Sequence, residues 1–114
     1  VQGAGWLTTE ELVWDDSGRL RTHAPSTYKI PATSDRPDIF NVTLWDAPNR
    51  EETVYRSKAV GEPPFMLGIS AFSALSQAVQ ACGETYADLQ APATAEAVLA
   101  AVRRARNEGG RDVI

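Results

Sequence analysis

Two consecutive prolines, Pro63 and Pro64, stand directly before a stretch in which Phe65, Ile69, Phe72, Leu75 and Val79 recur at helical spacing. Proline suits the first turn of a helix, where no intrahelical N–H is needed. The stretch therefore predicts a helix over about 64–82, with Gly83 as its stop. Gly68, Ala71, Ala74 and Ala78 are small, so this helix is expected to pack closely on another element. A last helix over about 94–107 is predicted from Thr94 as N-cap, Glu96 in the first turn and an apolar stripe of Val98, Leu99 and Val102. Arg103, Arg104 and Arg106 oppose the dipole at its end, before Gly109-Gly110.

Upstream the pattern changes. Glu11–Trp14 reads as a strand, Asp15-Asp16-Ser17-Gly18 as a turn and Arg19–Thr22 as a returning strand. Pro25, Pro31 and Pro37 break the next stretch into an extended loop. In Ile39–Trp45, Phe40, Val42 and Leu44 point one way and Asn41 and Thr43 the other, the alternation of a strand. Asp46–Asn49 reads as a turn and Thr53–Arg56 as a short strand. The expected fold is α+β: a small mixed or antiparallel sheet, the hairpin plus the 39–45 strand, packed on the two helices. Val1–Leu7 has the look of an element cut in its middle.

The chain has 114 residues, a net charge of -4, one cysteine and one histidine. An acidic balance argues against nucleic-acid and anionic-membrane partners. No apolar run approaches the roughly 20 residues needed to cross a bilayer. A lone Cys82 rules out an intramolecular disulfide and fits a reducing, cytoplasmic compartment. No His/Cys/carboxylate spacing marks a metal site, and no serine or cysteine has a base partner for a hydrolase triad. His23 is expected to face solvent, and Cys82 to act as a small apolar filler. The start at Val1 rather than methionine leads to the expectation that the chain continues upstream.

The chemistry concentrates in Ser57-Lys58-Ala59-Val60-Gly61-Glu62-Pro63-Pro64. Glu62 precedes the helix, where free N–H groups and the dipole favour a charged carboxylate. Gly61 permits a sharp approach and the prolines stiffen the exit. An acid so held suits a general base. On these local rules alone a plain helix-start glutamate is the commoner case, because such caps are frequent.

This run resembles the active-site stretch of xanthine dehydrogenases, aldehyde oxidases and related molybdenum hydroxylases. Pro25-Ser26-Thr27-Tyr28-Lys29-Ile30-Pro31 resembles a second signature of the xanthine dehydrogenases. Val1-Gln2-Gly3, Thr9-Glu10-Glu11-Leu12 and Pro92-Ala93-Thr94 also match the family pattern, so the likeness runs from about residue 1 to about residue 107. It implies that residues 1–114 are a C-terminal fragment of a molybdenum cofactor-binding domain. It further implies oxidation of xanthine or hypoxanthine by attack of Mo–OH on an electron-poor carbon, with hydride passing to Mo=S and Glu62 as the catalytic base. The implied cofactor is molybdopterin, with Gly61 letting the loop approach the molybdenum. Iron–sulfur clusters and FAD would sit on other domains or subunits, and none of these is expected on the isolated fragment, which should be inactive.

The implied partners are the remainder of the molybdenum domain, the iron–sulfur/FAD part and a purine substrate. An aldehyde or N-heterocycle oxidoreductase is the alternative within the family, and a non-catalytic stand-alone module the alternative outside it. Lys58 reads as an exposed loop lysine or a charge steadying the Glu62 loop. Tyr28 and Lys29 read as anchors of their proline-flanked loop, with lining or bracing of the active-site approach as the alternative. Gln2 is not assigned as a ligand.

Overall fold

The helix announced by Pro63 and Pro64 forms, with both prolines in its first turn. The computed structural model describes residues 1–58 and 62–107. Three α-helices are present there: α1 (Gln2–Trp6), α2 (Pro63–Gln80) and α3 (Ala95–Ala105), with single 3-10 turns at Thr33–Asp35 and Val54–Arg56. Both long helices lie within a few residues of the expected 64–82 and 94–107. Thr94 caps α3 as its residue type predicts, its side chain accepting from the Ala97 amide at 3.2 Å. The opening residues form the short helix α1.

The expected α+β sheet is not there. Among the described residues the one β pairing is a single antiparallel bridge between Trp14 and Leu20. The turn itself forms as read: the Gly18 amide donates to the Asp15 carbonyl at 2.8 Å, and Gly18 sits at φ 78°. Asp15 Oδ1 accepts the Ser17 and Arg19 amides, both at 3.0 Å. The Ser17 hydroxyl, then the Arg19 amide, holds the Asp15 carboxyl below its ordinary range. The arms go no further because Leu12, Val13 and Trp14 are all exposed, so neither face is buried to fix a register.

Ile39–Trp45 keeps its alternation but has nothing to pair with. None of these residues makes a backbone–backbone hydrogen bond among the described residues. Leu44 is 88% and Trp45 85% exposed. A strand is stable only beside a neighbour, and Pro37 and Pro48 flank this one closely. The expected Thr53–Arg56 strand is a 3-10 turn in which Tyr55 and Arg56 take φ 52° and 53°, values incompatible with a strand.

The core is correspondingly small. Val79, Ala87, Leu89, Ala93, Ala101 and Ala105 are buried, with Phe72, Leu75, Val98 and Val102 packed against them. It therefore lies between the C-terminal half of α2, the 84–93 connector and α3. The molecule extends over 64 × 38 × 26 Å with a radius of gyration of 19.0 Å; a compact chain of this length would have about 13 Å.

The connector is tied by side chains. The Gln80 amide donates to the Gly83 and Thr85 carbonyls, while its oxygen accepts from the Ala87 amide at 3.1 Å. Arg104, expected to be plain surface charge, donates through Nε to the Ala87 carbonyl and through Nη2 to that of Asp88, each at 3.0 Å. Cys82 is exposed at the end of α2, not a buried filler, and His23 faces solvent.

Candidate functional site

Glu62 is the N-cap residue of α2, at φ -89° and ψ 5°. Its carbonyl accepts the Phe65 amide at 2.9 Å. An N-cap side chain normally takes the amide of the second or third helical residue. Here the second is Pro64, which has no N–H, and the third is Phe65, whose N–H serves the Glu62 carbonyl. The Glu62 side chain accordingly makes no capping bond. It is exposed at the mouth of the helix. A carboxylate in that state keeps its lone pairs for a proton or a donor from elsewhere. Gly61, the second site residue expected from the sequence, lies outside the described residues.

The approach to Glu62 is a self-bonded loop. Thr53 Oγ1 donates to the Ser57 carbonyl at 2.6 Å, and Asn49 Nδ2 donates to Thr53 Oγ1 and to the same carbonyl. Lys58 Nζ donates to the Ala47 carbonyl at 3.3 Å, so it pins this loop.

The first turns of α2 rest on α1. The rings of Trp6 and Phe65 stack at 4.7 Å with planes 13° apart. Gly68 lies so close to Gly3 that a Cβ at 68 would stand 2.7 Å from the Gly3 carbonyl. This is the close packing that the small residues foretell, at Gly68 with half-buried Ala71 beside the same groove; Ala74 and Ala78 are exposed. A groove of about 420 Å³ runs between the two helices, lined by Gln2, Gly3, Leu67 and Ser70 among others.

α1 is held from its other side by two residues that sequence reasoning left apart. The Tyr28 hydroxyl donates to Glu10 Oε2 at 2.6 Å. Glu10 is 7% exposed, and its Oε1 is buried without a partner among the described residues. Thr9 Oγ1 donates to the Lys29 carbonyl at 3.0 Å, and Lys29 Nζ pairs with Asp35 at 3.2 Å. Tyr28 thus anchors its loop as expected, and Lys29 belongs to the same loop. Nothing in local pattern marked Glu10, because the residue that engages it is 18 positions away.

The bond to Glu10, then burial, raises the Tyr28 phenol above its ordinary 10.0. A raised folded-state value means that the contribution to stability is complete below pH 10.0 and is lost as pH rises through the folded value. Absorbance titration should therefore show a late phenol component, above the ordinary 10.0. The late component should vanish in Tyr28→Phe; its survival there would reassign it.

Among the described residues no group of three or more His, Cys, Asp or Glu is placed to hold a metal ion. No helix there is long and apolar enough to cross a membrane.

Residues 1–37 match the family model of a molybdopterin cofactor-binding domain. The chain is 48% identical over 104 residues to the xanthine dehydrogenase of Dictyostelium discoideum, covering 86% of this chain and 8% of that protein. It is 44% identical over 106 residues to the xanthine dehydrogenase/oxidase of Rattus norvegicus, with 86% of this chain and 8% of that protein covered. With xanthine dehydrogenase 2 of Arabidopsis thaliana it shares 40% over 110 residues, at the same coverage of 86% and 8%. The chain thus spans about 8% of the length of these relatives.

Proposed function

This chain is part of the molybdopterin-binding region of the xanthine dehydrogenase family, and we propose that within a longer molybdenum hydroxylase it supplies the general base, Glu62, for oxidation of xanthine or hypoxanthine. The observation that carries this reading is the exposed carboxylate at the start of α2, unable to cap its own helix because Pro64 lacks the N–H it would take. Its carbonyl holds the Phe65 amide, the first turns of α2 rest on α1, and among the described residues its side chain makes no capping bond, which supports a role as a proton acceptor.

Molybdopterin, when bound, supplies the redox centre. It is an anionic group that carries a phosphate, and the described residues alone do not fit it. The grooves around α1, about 260 to 420 Å³, are lined by no lysine or arginine, and Glu10 and Asp35 each bring a carboxylate to one of them. The remainder of the molybdenum domain would hold the cofactor, and other domains or subunits the iron–sulfur clusters and FAD. This chain would contribute one wall and the proton acceptor. The exposed apolar side chains of Val42, Leu44 and Trp45, and of Met66 and Leu67 on α2, would be covered by that remainder. The lone thiol of Cys82 fits a cytoplasmic setting.

Two measurements test this. The longer protein carrying this segment should hydroxylate xanthine; preference for an aldehyde or another N-heterocycle would move the substrate assignment, and no hydroxylase activity at all would sink it. The isolated 114-residue chain should bind no stoichiometric molybdopterin by metal analysis. Stoichiometric loading would refute the division of labour.

A further inference from the structure

α1 has five residues, far too few to be stable as an isolated helix, so its position depends on what grips it. One grip is polar. The Glu10 amide donates to the Gly5 carbonyl at 3.0 Å, closing the C-terminal end of α1. The Glu10 side chain then folds back: a Cβ built on Gly5 would lie 2.7 Å from Oε1, with the Pro31 ring pressed on the same point. Oε2 receives the Tyr28 hydroxyl. A buried carboxylate with one oxygen unpaired costs free energy. Glu10 adds nothing to the apolar core, which lies at the other end of α2. What it does is fasten α1 to the Pro25–Pro31 loop.

The opposite side of α1 meets the start of α2, through Trp6 on Phe65 and Gly3 on Gly68. Phe65 is the residue whose amide bonds to the Glu62 carbonyl. The contacts form an unbroken series: Tyr28, Glu10, the Gly5–Trp6 end of α1, Phe65, Glu62.

We propose that Glu10, engaged by Tyr28, is a positioning residue for Glu62, acting through α1 and the Trp6–Phe65 stack. This rests on Glu62 being the base. A base displaced by even about 1 Å can lose on the order of 10²-fold in rate, so partial loosening of the brace should lower kcat while leaving KM nearly unchanged.

The test uses the full-length, cofactor-loaded protein, with rates normalised to bound molybdenum. Tyr28→Phe and Glu10→Ala should each lower kcat about tenfold, and the double variant should be no worse than Glu10→Ala, because the two share one interaction. Glu10→Gln, which keeps an acceptor for the Tyr28 hydroxyl, should recover most of the rate. Hydrogen exchange should quicken in peptides covering residues 2–9 and 62–70 and stay unchanged over 95–105. A global destabilisation would quicken all three, and that outcome overturns the proposal. So does an unchanged kcat in Tyr28→Phe. If Glu62→Gln instead retains full turnover, the base assignment fails, and the exchange pattern still reads the brace independently.

Discussion

Glu62→Gln in the full-length protein should lower kcat by about 10²–10⁴-fold, the usual cost of removing a general base, with KM little changed. Glutamine keeps the size of the side chain and its carbonyl oxygen but cannot take up a proton. Glu62→Ala should lose at least as much. The structure separates this from the bland reading of Glu62 as a helix cap. A cap contributes to stability, and its loss to alanine costs about 1 kcal/mol. The Glu62 side chain makes no capping bond, because Pro64 has no N–H and that of Phe65 is already engaged. Its removal should therefore move the melting midpoint little, by no more than the charge–dipole contribution at the helix start. Nearly unchanged stability with collapsed turnover is the signature expected of the base. A loss of turnover below about tenfold would end the assignment, as that is less than proton transfer through a positioned group normally contributes.

The features legible in the sequence are those set by neighbouring residues. Pro63-Pro64, the helical spacing to Val79, the Thr94 cap and the Asp15–Gly18 turn are each encoded within a few positions, and each forms. The absence of the sheet is not legible, because strand pairing is non-local. Ile39–Trp45 carries an alternation that states which face would be buried and nothing about what would bury it. The same limit hides the brace. Tyr28 and Glu10 meet across 18 positions, and α1 is a helix despite Gly3 and Gly5, residues that weigh against one. Gly5 admits Pro31 and the Glu10 carboxylate to the α1 backbone and Gly68 lets α2 approach Gly3, contacts that a helix-propensity argument cannot see. At the site, the local pattern favours a plain helix-start glutamate over a base. The geometry at Pro64 removes the capping bond from the Glu62 side chain.

Gly83→Ala should have the largest effect on stability. Gly83 comes just after α2, and by local pattern it is a simple helix stop. Its neighbours give it another role. A Cβ there would overlap the Ala105 carbonyl group and stand 2.8 Å from the Arg106 amide, all of it backbone at the end of α3. A flexible side chain could move aside; a helix terminus cannot do so without leaving its place. The Thr85 amide donates to that same Ala105 carbonyl at 3.2 Å, and Ala101 and Ala105 are the most deeply buried residues of the core.

Overpacking of this kind costs about 1–3 kcal/mol, and more where the backbone must shift. The amides of α3 should then exchange about one to two orders of magnitude faster, since each 1.4 kcal/mol is about tenfold. Exchange over 95–105 that matches the parent protein would show that α3 does not depend on this contact. Because α2 is 18 residues long, its two ends stand about 27 Å apart at 1.5 Å per residue. Turnover per bound molybdenum should consequently fall far less in Gly83→Ala than in Glu62→Gln. The two substitutions divide α2 into an end that holds the core and an end that carries Glu62.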